Sequence, residues 1–168
     1  MSLPDIDTDF FTFLKSVRAK LRTHPFISKD SNVKIGDSLD IFSLPDENFP
    51  RFEIRPTRDL GNGYESQRNL KLQYDFVIVG FLRRPSDEIT ETDIKNVVAF
   101  GEKTRALIYE FNDDTQLDKT QPSPGFDYMD DYPVLDMDFE IMEKTSVIIF
   151  TFRAHASSKD TKIVKEIL

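Results

Sequence analysis

A chain of 168 residues, 39% of them apolar, is long enough for one domain with a real core and short for two. With no cysteine, it has no disulfide, no thiolate metal site and no cysteine nucleophile, and the two histidines, His24 and His155, limit imidazole chemistry. The net charge of -8 is uneven: between 112 and 140 nine acids stand against Lys119 alone, while Lys15, Arg18, Lys20, Arg22, Lys29 and Lys34 gather near the start. Opposite poles of this kind suit head-to-tail or ring association, and they also serve solubility.

Residues 6–22 read as a helix, because Ile6, Phe10, Leu14, Val17 and Leu21 form one stripe with Phe13 beside it, and Pro25 closes it. Lys15, Arg18 and Arg22 fall on the opposite stripe, expected to be a wet face. A short strand is expected at "NVKIG". "FEIR", between Pro50 and Pro56, reads as a short edge strand. The polar stretch "PTRDLGNGYESQ" suits the tip of a long hairpin, with Arg58, Asp59, Gly61, Asn62, Gly63 and Tyr64 as candidate interface residues. Nucleotide binding is excluded: neither GxGxxG nor GxxxxGK[ST] occurs, and a strand follows where a phosphate loop needs a helix.

"LQYDFVIVGFLRR", 72–84, is strand-like and apolar on both faces. Leu72, Tyr74, Phe76, Ile78, Gly80 and Leu82 share one face, and Val77, Val79 and Phe81 the other. That second face needs a cover: a neighbouring subunit, the hairpin, or an internal layer from residues 26–50.

After Pro85 comes a helix with Thr92 as the expected N-cap and Ile94, Val97, Val98, Gly101, Leu107, Ile108 and Phe111 as its apolar face. Residues 112–133 read as a long acidic loop. Leu135, Met137, Phe139 and Ile141 then alternate with Asp136, Asp138 and Glu140 in a half-wet strand, and "SVIIFTFRAHA" is apolar on both faces. The fold class expected is α/β (α+β): a mixed, mainly antiparallel sheet with helices on one face. The expected division is a single domain over 1–156 and a tail over 157–168.

Catalytic groupings are thin. Neither histidine has a nucleophile signature such as GxSxG near it, so each is expected to be structural or at the surface. Asp136, Asp138 and Glu140 on one strand face could hold Mg²⁺ as in metal-dependent nucleases, or could line the wet side of a hairpin. The expectation is no cofactor, no metal and no enzyme activity, with a small nuclease as the alternative of another class. The longest apolar runs fall short of a bilayer span and the first residues are acidic, which leads to an expected cytoplasmic site of synthesis.

The order of an amphipathic opening helix, "FPRFEIRPT", a polar hairpin tip, "LQYDFVIVGFLRRP", the helix "VVAFGEKTRALIYEF" and a closing "SVIIFTFRA" resembles the tail terminator, or tail completion, proteins of long-tailed bacteriophages. The likeness covers roughly residues 6–156 and rests on pattern, since the family has no short diagnostic motif. It implies a mixed or antiparallel sheet flanked by helices, and a hexameric ring that caps the tail tube, stops its growth and presents a face to the head connector. Implied partners are further copies of the chain, the tube protein and a connector or neck protein, with DNA passing unbound and the virion neck as location. A different head-tail adaptor is the neighbouring alternative. Under this resemblance Asp130, Asp131, Asp136, Asp138 and Glu140 are expected to line the DNA channel, where carboxylates repel phosphates. The acidic stretch 112–133 and the tail depart from the compact members of the family.

Overall fold

The computed structural model describes residues 9–38, 40–59, 64–66, 69–117, 128–129, 134–138 and 145–157. Helix α1, Asp9–Leu21, is followed by strand β1, Val33–Ile35, and strand β2, Arg51–Asp59. Strands β3, Tyr64–Ser66, and β4, Asn69–Arg83, lead to helix α2, Glu91–Leu117. Strands β5, Tyr128–Met129, β6, Val134–Asp138, and β7, Thr145–Ser157, complete the order. They form a mixed sheet in the order β1-β2-β4-β7-β5, with β3 joined to β4 and β6 to β7. β1 runs parallel to β2 and the other pairings are antiparallel. This is the mainly antiparallel α+β fold expected.

The helical face carries the main core. From α1 come Phe13, Leu14, Val17 and Leu21, the stripe set by steps of three and four; from the sheet Val33, Phe52, Ile54, Phe76 and Ile78; and from α2 Val97, Phe100, Ile108 and Phe111. Phenylalanine dominates the contact: Phe13 meets Phe76 and Phe111 edge-on, each at 5.9 Å, and Phe52 stacks on Phe100 at 4.9 Å. Each ring so buried contributes on the order of 2–3 kcal/mol through the apolar surface it removes from water.

The second face of β4 is covered from within the chain. Val79 and Phe81 pack with Ile41 and Phe49, and Val77, Phe42 and Leu44 border the cluster. Ile41 begins and Phe49 follows a pair of short 3-10 turns, Ile41–Ser43 and Asp46–Asn48, so the segment between β1 and β2 crosses the sheet as a strap. The internal layer, built from residues within 26–50, is therefore what covers these side chains, and they are not available to drive association with another subunit.

Several expectations are corrected. "FEIR" is no short edge strand: β2 is nine residues long and lies between β1 and β4. The alternation read as an edge arises because apolar Phe52 and Ile54 face the helices while Arg51, Glu53 and Arg55 alternate with them, beneath the strap. Pro56 cannot donate to the ladder, and the register with β4 shifts between Pro56 and Arg58. The N-cap of α2 is Thr90, two residues before Thr92: Thr90 Oγ1 accepts the Asp93 amide at 3.2 Å, and Asp93 Oδ2 accepts the Thr90 amide at 2.9 Å, a reciprocal capping box. Ile94 and Val98 are exposed rather than core-facing, and α2 continues to Leu117, so the stretch 112–133 begins as helix and contains β5 instead of being one long loop. Lys15, Arg18 and Arg22 are half-buried, and Arg22 donates to the carbonyls of Asp30 and Val33. β7 reaches Ser157, so the last strand includes the first residue assigned to the tail, and residues 158–168 lie outside those described. Among the described residues, no helix is long and apolar enough to cross a membrane.

Candidate functional site

The β2, β4 and β7 ladder separates the two groups of candidate residues. Arg58 and Asp59 lie at the end of β2, opposite Asp75 and Tyr74 of β4, and Tyr64 lies in β3 opposite Leu70. Gly61, Asn62 and Gly63 lie outside the described residues. β2 and β4 are thus the arms of the expected hairpin, with β3 added near its tip.

Asp136 and Asp138 lie in β6, paired with Ile149 and Val147 of β7. Those β7 residues are in register with Val79 and Phe81 of β4, nine residues and more along the strand from Leu70. At about 3.4 Å per residue this places Tyr64 on the order of 30 Å or more from the two aspartates along the ladder, and Arg58 and Asp59, opposite Asp75 and Tyr74, roughly 14–24 Å from them. Asp130, Asp131 and Glu140 lie outside the described residues. Among the described residues, no group of three His, Cys, Asp or Glu side chains could hold a metal ion.

One charged grouping was not anticipated. Glu53 is fully buried on β2, and its Oε2 accepts from Arg55 Nη2 at 2.5 Å and from the Ser38 amide at 3.4 Å. Arg51 approaches Glu53 Oε1 at 3.5 Å and donates to Ser38 Oγ at 3.2 Å, while Arg55 also pairs with Asp37 at 2.9 Å. Burial pushes the Glu53 carboxyl up, but Ser38 and the Arg55 guanidinium outweigh it and hold the group below its ordinary value. The arrangement is an ionised carboxylate fixed between two guanidiniums and closed to solvent, so it acts as a clasp on the strap rather than as an acid or base. The signal for it was in "RFEIR": charges on alternate residues of a strand whose other residues are Phe and Ile.

Arg83 forms a second clasp. Its Nη2 donates to the Leu44 carbonyl at 2.6 Å, its Nε lies 3.3 Å from Asp46, and its guanidinium sits over the Phe49 ring at 4.3 Å. His24 is structural, as expected. It is 1% exposed and lies edge-on to Phe26, Phe52 and Phe100, with centroids at 5.4, 5.5 and 5.0 Å. Its Nδ1 accepts the Phe26 amide at 3.0 Å, which leaves the proton on Nε2, 3.4 Å from the Phe100 carbonyl. Burial lowers its pKa to about 4, with the Phe100 carbonyl opposing and Lys103 assisting.

Several bases of the cluster near the start are engaged within the chain. Lys20 pairs with Glu110 at 2.7 Å, Lys29 with Glu47 at 3.2 Å, and Lys34 donates to the Asp37 carbonyl at 2.9 Å. What remains chemically distinct is a sheet with two unlike regions: a hairpin end carrying Arg58, Asp59 and Tyr64, and a β6 region carrying Asp136 and Asp138. Neither a family model nor a curated protein matches the chain.

Proposed function

We propose that the chain is a phage tail terminator: a ring-forming structural protein of the virion neck that seats on the tail tube, stops its polymerisation and offers its other side to the head connector. The observation that carries this reading is the separation of two unlike groups of candidate residues, roughly 14–37 Å apart by strand register along one antiparallel ladder. A terminator must bind the tube on one side and a different partner on the other, and a long hairpin ladder stiffened by helices supplies two separated surfaces. The mixed sheet with helices on one face is also the architecture that the resemblance implies.

The internal cover over Val77, Val79 and Phe81 changes how a ring would be built. Ring contacts fall to strand edges and the hairpin end, because the apolar second face of β4 is already used at these residues. The acid-bearing β6 region, with Asp130, Asp131 and Glu140 as its further candidates, is the proposed wall of the DNA passage. Light scattering of the pure chain, alone and mixed with tail tubes, tests assembly: a ring in either condition supports the reading, and a monomer in both removes it. Mg²⁺-dependent cleavage of DNA by the same preparation would instead favour the nuclease alternative.

A further inference from the structure

One flank of helix α2 carries exposed side chains. α1 flanks α2 through Phe13 against Phe111 and Lys20 on Glu110. At about 100° per residue, Val98, Glu102, Arg105 and Tyr109 fall within a narrow arc of α2, and Glu110 lies about 100° beyond Tyr109. They therefore share a flank turned away from α1. All four are exposed, Tyr109 at 64% and Val98 at 39%, and Glu102 pairs with Arg105 at 3.3 Å.

This stripe is complementary to its own reverse. Set antiparallel to a second copy with a two-fold axis between 103 and 104, Val98 faces the partner copy's Tyr109 and Glu102 faces the partner copy's Arg105, each pairing occurring twice. Apolar side chains meet at both ends, and opposite charges meet between them. A parallel alignment would instead set Glu102 against Glu102 and Arg105 against Arg105, which like-charge repulsion disfavours.

We propose that α2 docks antiparallel against α2 of a second copy through Val98, Glu102, Arg105 and Tyr109, forming a reversible two-fold dimer. The contact joins the helical layers of two copies into one continuous layer. Three helical turns bury well under the roughly 1,200 Å² of a standard stable interface, so the dimer is weak, with dissociation on the order of tens of micromolar or above. It is independent of the ring: a two-fold contact closes on itself and cannot generate one.

A charge swap tests this in the full chain. Sedimentation equilibrium over a range up to several hundred micromolar should show monomer and dimer. Arg105→Glu and Glu102→Arg should each weaken dimerisation about tenfold or more, since each sets like charges face to face, and the double variant should return to within about threefold of the parent. Circular dichroism should show all three folded, because both side chains are exposed. A chain that stays monomeric throughout, single swaps that leave dimerisation unchanged, or a folded double variant that does not recover would each overturn the proposal. Tube capping scored on the same variants keeps the two readings apart: a dimer lost with capping intact, or retained without capping, belongs to one reading only.

Discussion

The guanidinium of Arg83 lies 4.3 Å above the ring of Phe49, joining the end of β4 to the strap that crosses its second face. The same guanidinium bonds the Leu44 carbonyl, so one side chain fixes the strap at two points and orders the cover over Val79 and Phe81. Phe49→Ala should cost about 3–4 kcal/mol by opening a cavity under the strap, and Arg83→Ala about 1–2 kcal/mol. Urea denaturation measures both. The double variant should fall short of the sum, since the two side chains act on each other; strict additivity would show that they do not.

Glu53→Gln should destabilise the chain by roughly 3 kcal/mol, because it leaves Arg51 and Arg55 without their shared buried counter-charge. Removing a buried partner is felt more strongly than removing a surface one. The carboxyl is held below its ordinary value of 4.5, so its contribution is complete above that pH and is lost as pH falls through the folded value. A urea midpoint unchanged at neutral pH in the variant would contradict the clasp.

His24 gives a separate pH signature. In the unfolded chain the ring takes up a proton near pH 6.5, whereas in the fold it stays neutral down to about 4. Below 6.5 the unfolded state therefore binds more protons, and stability falls with falling pH across that window by a total on the order of 3 kcal/mol. His24→Asn retains a short polar side chain and removes the titration. The difference in stability between parent and variant should shift across this window, and a constant difference from pH 7 to 4.5 would show that His24 is not buried as a neutral base.

Much of the fold was legible in periodicity. Phe13, Leu14, Val17 and Leu21 announce α1 at helical spacing, and the run free of polar side chains from Phe76 to Leu82 announces a central strand. The strap was not legible, because Ile41 and Phe42 lie in a 3-10 turn and Leu44 and Phe49 each directly follow one, with neither period, and their role is set by what β4 leaves uncovered. Thr90 and Thr92 both precede acids, and only the bonds to Asp93 decide that Thr90 is the cap. The clasp around Glu53 was hidden for a related reason: a charged residue alternating with apolar ones reads as the wet side of an edge strand until a covering segment is known. The candidate residues of the hairpin end could be grouped from their proximity in sequence, but their separation from β6 follows from strand register.

Asp136 and Asp138 test the passage. Replacing both with Lys should create duplex DNA binding that falls steeply with added salt, and should hinder DNA transit in assembled particles. Filter binding at low salt and packaging counts measure the two effects. Particles that package and eject normally, with no gain in DNA affinity, would remove these residues from the channel wall.

The terminator reading is tested most directly by the length of tail tubes polymerised from their subunit with and without this chain. Tubes should stop growing when the chain is added, with a ring visible by electron microscopy at one end of each and none along the sides. Tubes that continue to lengthen at the same rate, with bare ends at saturating amounts of the chain, would contradict it.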